Sequence, residues 1–484
     1  MAGFLSRSLR RVLFGVLALL LIIVALRVWD VRSGPPLGPW HEFVPPELSL
    51  EAIDRADWAG WMAAEDAAFA ATRREVTDRL DAMDRAAALR WSPDSPVNPT
   101  RFVRDWNRSF VLEPSGAPVG VAVFLHGLTD APYSLRHLAE AYRARGFLAI
   151  AIRLPGHGMV PGGLTEAVWE EWMAATRLAV RAARARVATG PLHLVGYSNG
   201  GALALKHALD AIEDQRLPQA DRLVLVSPMV GVTAFARFAG LAGLPAFLPR
   251  FAKAAWLDIL PEFNPFKFNS FPVNAARQTW RLTSAIEVQL DRLAQAQRLS
   301  ALPPVLTFQS VVDATVSTPA VLSRLYDRLP ENGSELVLFD LNRSLRFGPL
   351  FSAGADSAID RILPAATRRY AVTVVGNDGV GVAGVARRIA AGSAVEAVTP
   401  LGADWPRAVY SLSHVALPFP ASDGLYGGEP DPADAMGVEL GAIAVRGERG
   451  VLVMDANHFA RITWNPFFAY LLDRVRGGMI TAPP

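Results

Sequence analysis

Ser198 is the residue of this sequence with the clearest chemical potential, because a glycine lies two positions before it and another two positions after it. The surrounding stretch, LHLVGYSNGGALALKHALDAIE, has the pattern of a short apolar strand, a turn and a helix. A serine at such a sharp turn presents its hydroxyl outwards, and Gly196 and Gly200 keep neighbouring side chains from colliding. The pattern therefore predicts that Ser198 is a nucleophile.

A serine nucleophile needs a base, and the base needs an acid to orient it. In a fold of alternating strands and helices, the expected chain order is serine, acid, histidine. Asp313 is the candidate acid, because it follows the apolar segment VLTFQS and precedes the start of a helix; Asp340 and Asp378 also follow strands and are the alternates. His414 and His458 come after Asp313, and both placements suit a loop beyond a strand.

The reaction also needs two amide donors for the oxyanion of its tetrahedral intermediate. One is expected from Asn199, directly after the nucleophile. The other is expected from Leu128, in the loop after the apolar strand VAVFLHG, where Gly127 allows a tight turn. His126 is expected to shape this loop through a structural hydrogen bond, since the base must follow the acid in the chain.

Three stretches together resemble the α/β-hydrolase superfamily, and within it the monoacylglycerol-lipase and serine-aminopeptidase-like branch: FLHGLTDAPYSLRHLAEAYRARGFLAIAIRLPGHG, GYSNGG and SVVDATVST. That branch has its acid in a D-x-x-V setting and a histidine that is often followed by valine. Asp313 has this setting, and His414 is followed by valine whereas His458 is followed by phenylalanine. The resemblance covers residues 110–338 and favours His414 as the base.

The elements that must position these residues alternate between strand-like and helix-like segments, which predicts a mostly parallel sheet with helices on both faces. The resemblance implies the α/β-hydrolase fold. Within it, residues 229–302 are predicted as a helical cap insertion and residues 343–407 as a second insertion. The second insertion contains GVGVAG at residues 379–384, which matches a dinucleotide-binding pattern. We assign it no cofactor, because a second nucleotide-binding half is missing around it.

Three further segments are predicted in the N-terminal part of the chain. Residues 1–32 are predicted as a signal anchor, because residues 12–26 contain no polar side chain and arginines precede them. Residues 33–47 are predicted as a proline-rich linker and residues 48–100 as an amphipathic helical extension, ahead of a hydrolase domain over residues 101–484. The expected location is a bacterial-type inner membrane, with a cytoplasmic N-terminus and the catalytic domain outside; secretion after cleavage of a signal is the alternative.

Composition limits the classes of function. The net charge of +2 does not indicate a nucleic-acid-binding protein. The lack of cysteine excludes disulfides, thiolate metal sites and cysteine nucleophiles. The sequence predicts a serine hydrolase that cleaves carboxylic esters through an acyl-enzyme, without cofactor or metal. The phenylalanine-rich cap favours a lipid-like substrate with an apolar acyl chain. The alternatives are amide, peptide or thioester hydrolysis, acyl transfer, and a non-catalytic binding protein on the same fold.

Overall fold

A central sheet of ten strands organises the computed structural model. The structure describes residues 11–15, 17–18, 22, 35–86, 88–231, 249–364, 366–434, 436–443, 454 and 456–479. The strands of this sheet are β1 Phe110–Leu112, β2 Gly120–Leu125, β3 Phe147–Ile152, β4 Leu192–Tyr197, β5 Arg222–Val226, β8 Val305–Ser310, β9 Glu335–Phe339, β10 Ala371–Asn377, β11 Ala383–Ile389 and β12 Glu396–Asp404. Two further strands, β6 Trp256–Asp258 and β7 Phe271–Pro272, form a separate two-stranded sheet.

Helices surround this sheet and also form the N-terminal extension. They are α1 Pro39–Glu42, α2 Leu50–Arg55, α3 Trp58–Glu75, α4 Ala82–Ala86, α5 Arg136–Ala144, α6 Trp169–Arg186, α7 Asn199–Glu213, α8 Val273–Gln295, α9 Thr318–Ala320, α10 Ala353–Asp356, α11 Ala358–Ile362, α12 Ala456–Ala460 and α13 Phe468–Gly477. Within the cap predicted over residues 229–302, residues 232–248 lie outside the described residues. The described part of the cap contains the β6–β7 hairpin and α8.

The strand order in the sheet is β1-β3-β2-β4-β5-β8-β9-β10-β11-β12. The seven strands from β3 to β10 in that order run parallel, while β1, β11 and β12 are antiparallel to their neighbours. All residues of β2, β3 and β4 are buried, which explains why they read as unbroken apolar segments rather than as an alternating pattern. This confirms the predicted α/β-hydrolase sheet, with helices on both faces.

Successive residues of a strand point to opposite faces, so each strand contributes to two hydrophobic cores. On β2, Val121 and Val123 belong to the core beneath α6 and α7, whereas Ala122 and Phe124 belong to the core beneath α5 and α13. The register pairs Leu125 of β2 with Gly196 of β4. The loop that follows β2 and the turn that follows β4 therefore begin at the same edge of the sheet, where the parallel strands end.

The second predicted insertion, residues 343–407, contributes strands to the main sheet. Strand β10 pairs in parallel with β9, and β11 and β12 continue the sheet in antiparallel pairs. The GVGVAG stretch at residues 379–384 spans the tight connection between β10 and β11, so a strand follows it. A dinucleotide site of this pattern needs a helix there, because the helix N-terminus binds the pyrophosphate.

The structure requires a correction to the prediction of a membrane anchor at the N-terminus. Within the part of the chain that the structure describes, no helix combines the length and the apolar character needed to cross a bilayer. The longest, α8, has 23 residues but carries charged side chains on several of its turns. Much of the apolar segment at residues 12–26 lies outside the described residues. This finding does not support the N-terminal transmembrane helix, and the inner-membrane location inferred from that helix is corrected accordingly.

The segment predicted as a linker over residues 33–47 contains residues that pack against the hydrolase core. Trp40 is 8% exposed and its ring stacks on that of Trp91, with centroids 5.1 Å apart. His41 is 5% exposed, and its Nε2 lies 3.0 Å from the Ser270 hydroxyl of the cap. The contact of His41 attaches this segment to the cap, and the contact of Trp40 attaches it to the helical extension that follows.

Buried histidines predict a loss of stability in mild acid. Burial lowers the pKa of His41 to about 4 and the pKa values of His157 and His193 to about 3. Their unfolded-state pKa is about 6.5, so below that pH the unfolded chain binds more protons than the native chain and stability falls. Each of these three histidines should lower the unfolding free energy by about 2 kcal/mol when the pH falls from about 8 to about 5. Urea unfolding across this range measures the loss, and a constant unfolding free energy would contradict it.

Candidate active site

Ser198 lies in the turn between β4 and α7, with φ 54° and ψ −116°. A positive φ is unfavourable for a residue with a side chain, and it persists here because the surrounding backbone leaves no alternative. A Cβ atom at Gly200 would lie 1.8 Å from the Leu125 carbonyl oxygen, and one at Gly196 would lie 2.4 Å from the Gly200 oxygen. The two glycines thus allow the turn to approach β2 closely, which is the arrangement of a nucleophile elbow.

The backbone amides around Ser198 form the second feature of the site. Asn199 is the first residue of α7, so its N–H is among the amides that have no acceptor within the helix. Leu128 lies in the loop after β2, and the next residue, Thr129, has a φ of 61°. Both candidate donors of the oxyanion hole therefore come from segments that meet at the end of β2 and β4.

His126 holds the loop after β2 in place. The Leu154 N–H donates to His126 Nε2 at 2.9 Å, and His126 Nδ1 donates to the Gly127 carbonyl oxygen, also at 2.9 Å. Burial lowers the pKa of His126 well below its ordinary value, so the ring is neutral, as these two bonds require. The structural role predicted for His126 agrees with these contacts, which occupy both ring nitrogens.

Asp313 and His414 meet although 101 positions separate them in the chain. His414 Nδ1 lies 3.0 Å from Asp313 Oδ2, while Asp313 Oδ1 accepts the N–H groups of Thr315 at 2.8 Å and Val316 at 2.9 Å. Burial alone would raise the pKa of Asp313, but His414 and these hydrogen bonds lower it on balance. The carboxylate is therefore ionised and suited to orient an imidazole.

Tyr197 connects this pair to the elbow. Its hydroxyl donates to the His414 carbonyl oxygen at 3.3 Å, and its ring centroid lies 5.1 Å from that of His414. Tyr197 directly precedes Ser198, which is 4% exposed. Sequence analysis did not single out Tyr197 or Gln309, whose amide donates to Asp313 Oδ2 at 3.1 Å. Tyr197 occupies a variable position of the pattern around Ser198, and Gln309 lies just before the stretch that contains Asp313. The contacts of Tyr197 depend on a segment that is distant in the sequence, and the sequence indicates neither residue.

The alternative candidates for the acid and for the base have other surroundings than the Asp313–His414 pair. Asp340 forms an ion pair with Arg343, and Asp378 is exposed in the connection after β10. His458 is exposed on the short helix α12. The structure thus brings Asp313 together with His414 and places the other candidates in different surroundings.

Two cap phenylalanines pack inside the protein. Phe266 is 1% exposed, and its ring stacks on Tyr133 with centroids 4.3 Å apart. Phe268 is 2% exposed, and the guanidinium carbon of Arg90 lies 5.1 Å from its ring centroid. These contacts are those of core residues, although the composition of the cap had suggested a lining for an acyl chain.

Replacing Phe266 with leucine should therefore act on stability rather than on substrate choice. We expect the unfolding free energy to fall by about 1 to 2 kcal/mol, because the leucine leaves part of the space against Tyr133 unfilled. Turnover of acetate and of long-chain esters should fall by the same factor. A selective loss on the long esters, measured on one enzyme preparation, would instead show that Phe266 lines an acyl pocket.

A group of side chains with metal-binding chemistry lies apart from Ser198. Potential ligand atoms of His137, Asp423 and Asp434 all lie within 4.8 Å of one another. Arg136 Nη2 lies 2.9 Å from Asp423 Oδ2 and also pairs with Asp434. Because the Arg136 guanidinium already pairs with both carboxylates, the group is an ion-pair network that attaches α5 to the segment after His414.

Comparisons with known proteins find similarity over the central part of the chain. A family model described as serine aminopeptidase, S33 matches residues 116–341. The thermostable monoacylglycerol lipase of Bacillus sp. (strain H-257) is 29% identical over 177 residues, which span 36% of this chain and 66% of the length of that lipase.

Two solved structures are also similar. One is a structure from work on the metagenome-derived lipolytic enzymes LipS and LipT, and its sequence is 21% identical to this chain. The match covers 49% of this chain and 88% of the other, with a TM-score of 0.37. The other is a soluble variant of monoglyceride lipase from Saccharomyces cerevisiae, with 12% identity, coverage of 48% and 81%, and a TM-score of 0.37. By the family match and the sequence similarity to the Bacillus lipase, the central part of the chain is similar to serine-aminopeptidase-like and monoacylglycerol-lipase-like α/β hydrolases.

Proposed function

We propose that this protein hydrolyses carboxylic esters, with Ser198 as nucleophile, His414 as general base and Asp313 as the acid that orients the base. The observation that carries the proposal is the 3.0 Å contact between His414 and Asp313, next to the elbow that presents Ser198. A hydroxyl is a weak nucleophile until a neighbouring base removes its proton, and an ionised carboxylate keeps the imidazole in the required tautomer.

The hydrogen bond to Asp313 decides which imidazole nitrogen reacts. His414 Nδ1 is used by the carboxylate, so Nε2 is the nitrogen left to accept the proton of Ser198 as its oxygen attacks the ester carbonyl. The amides of Leu128 and Asn199 then donate to the oxyanion. His414 returns the proton to the leaving alcohol, and a water molecule, activated by the same nitrogen, cleaves the acyl-enzyme to a carboxylic acid and free Ser198.

The substrate class we propose is a lipid-like monoester. The support is the similarity to the Bacillus monoacylglycerol lipase, which covers part of both chains. Amide, peptide and thioester hydrolysis or acyl transfer could use the same three residues, because the shape of the pocket selects among these reactions. The choice between them therefore depends on turnover measurements.

A series of p-nitrophenyl esters with acyl chains of increasing length, together with a monoacylglycerol, tests this proposal. We expect turnover of esters that disappears in Ser198→Ala, and little turnover of amide analogues with the same acyl groups. A wild-type protein that cleaves amides or thioesters in preference to esters would replace the ester assignment. A folded protein that turns over none of them would point to a binding protein on this fold.

A further inference from the structure

Gln309 is a buried residue near the end of β8, and its side-chain amide contacts the carboxylate of Asp313. Its Nε2 lies 3.1 Å from Asp313 Oδ2 and 3.1 Å from the Thr318 hydroxyl. The Thr318 hydroxyl donates its own hydrogen to the Ser310 carbonyl oxygen at 2.7 Å. This hydroxyl can therefore only accept from Gln309, so both hydrogens of the amide group are directed at fixed acceptors.

The two acceptors determine which way the amide of Gln309 points. A glutamine side chain has a donating NH2 group and an accepting oxygen, and both Asp313 Oδ2 and the Thr318 hydroxyl require the donating group. Gln309 Oε1 has no hydrogen-bond partner among the residues that the structure describes. The side-chain hydrogen bonds of Gln309 thus all come from its NH2 group, and the reversed orientation would place an oxygen against a carboxylate.

The carboxylate of Asp313 has about four acceptor positions, two on each oxygen. The N–H groups of Thr315 and Val316 bind Oδ1 at 2.8 and 2.9 Å. Among the described residues, Oδ2 contacts the Gln309 amide and, at 3.0 Å, His414 Nδ1. Gln309 is therefore the donor that holds the oxygen facing the imidazole. With three positions filled by the protein framework, one is left for His414.

We propose that Gln309 is a positioning residue of the active site, whose amide holds Asp313 Oδ2 so that a single acceptor position remains for His414. This inference rests on the proposed ester hydrolysis and deepens it. Gln309 acts through Asp313 and takes no part in bond making. Its hydrogen bond also compensates part of the negative charge, so the carboxylate attracts an imidazolium less strongly than it would without this donor.

Gln309→Met tests the proposal, because methionine has a similar length but no donor. We expect kcat on p-nitrophenyl butyrate to fall by about tenfold, since the imidazole is oriented less well, while KM stays within about a factor of two or three. The midpoint of the acid limb of the kcat/KM profile should rise by about half a pH unit or more. The reason is that a carboxylate without this donor attracts the imidazolium more strongly.

Other charged or titratable groups near the pair stay in place in this variant. The ring of Tyr197 contacts that of His414, the guanidinium of Arg461 donates to the Thr315 hydroxyl, and His414 acts electrostatically on Asp130. Because none of them is changed, a shift of the midpoint reports the loss of the Gln309 donor.

Thr318 provides a pair of variants that changes the hydrogen-bond chain and leaves Gln309 intact. Thr318→Val removes the acceptor of the second amide hydrogen, so the amide is held less firmly. We expect kcat to fall by about threefold and the midpoint to move in the same direction as in Gln309→Met. Thr318→Ser keeps the hydroxyl and should restore both values. This pair decides the question if Gln309→Met does not fold.

Gln289→Met is the matched control for a buried glutamine. Gln289 is 4% exposed, its Nε2 donates to Asp210 Oδ1 at 3.0 Å and to Glu213 Oε2 at 2.7 Å, and its Oε1 also has no partner among the described residues. Both acids lie in the last turns of α7. We expect this variant to lose thermal stability to a similar degree, but to keep kcat within about a factor of two and the midpoint of the wild type.

Two results would overturn the positioning role while ester hydrolysis stands. One is a Gln309→Met variant with the kcat and the midpoint of the wild type. The other is an equal loss of kcat in Gln309→Met and Gln289→Met with no shift of the midpoint, which would make the role of Gln309 purely structural. A wild-type protein without ester turnover would instead remove the proposed function.

Discussion

Replacing His414 with alanine is expected to lower kcat on p-nitrophenyl butyrate by about a thousandfold or more, which corresponds to a barrier higher by about 4 kcal/mol. Without the imidazole, Ser198 has no group to take its proton, and the leaving alcohol has no group to protonate it. Steady-state rates of purified, folded variants measure the effect. Ser198→Ala should be about equally inactive, because the members of a triad act as a unit.

His458→Ala is the matched control, since it removes the other histidine that follows Asp313. His458 is exposed on α12, so we expect this variant to keep at least about a tenth of the activity. If His458→Ala were inactive and His414→Ala active, the base would be His458 and the serine mechanism would remain. If neither change mattered, Ser198 would have no histidine base and the proposed mechanism would be wrong.

Replacing Glu65 with alanine is expected to lower the unfolding free energy by about 3 to 5 kcal/mol, because the buried Arg153 loses one of its two carboxylates and the N–H and hydroxyl of Ser109 lose their acceptor. Arg153 is completely enclosed, and its Nε lies 3.0 Å from Glu65 Oε2 while its Nη1 and Nη2 bind Glu47 at 2.7 and 2.9 Å. Glu65 also accepts the N–H of Ser109 at 2.9 Å. Chemical unfolding monitored by tryptophan fluorescence measures the loss.

Glu113 provides a control for this change. It pairs with Arg186, but both side chains are exposed, so Glu113→Ala should alter the unfolding free energy by less than about 1 kcal/mol. Similar effects of the two changes would contradict the argument from burial. We further expect Glu65→Ala to reduce activity at temperatures where it is still folded, because Arg153 also binds the carbonyl oxygens of Leu154 and His157 in the loop that supports His126.

The turn at Ser198 and the buried strands around it were readable from the sequence because their determinants are local. A chain that turns at Ser198 and passes within contact of β2 needs glycine at positions 196 and 200, and the sequence has them. Strands covered on both faces need unbroken apolar residues, which β2, β3 and β4 show. These patterns depend on neighbours within a few residues, so they can be recognised without the fold.

Contacts between distant segments were harder to predict from the sequence. The residues alone suggested Asp313 but left both His414 and His458 open as the base, and the resemblance to a family favoured His414. Residues 343–407 were predicted as an insertion, and nothing in that segment indicates that β10 pairs with β9. The buried Glu65–Arg153 pair joins positions that are 88 residues apart, and each residue resembles a surface charge when taken by itself. The apolar N-terminal segment predicted an anchor from composition alone, which the described helices do not support.

Labelling with a fluorophosphonate probe, followed by peptide mass spectrometry, tests the central claim most directly. The probe forms a covalent bond with a serine only where a base activates that serine and donors stabilise the resulting oxyanion-like adduct. We expect one label per chain on the peptide that contains Ser198, no label on Ser198→Ala, and much slower labelling of His414→Ala. A folded wild-type protein that stays unlabelled, or one labelled at a different serine that Ser198→Ala does not affect, would contradict the assignment of Ser198 as the nucleophile.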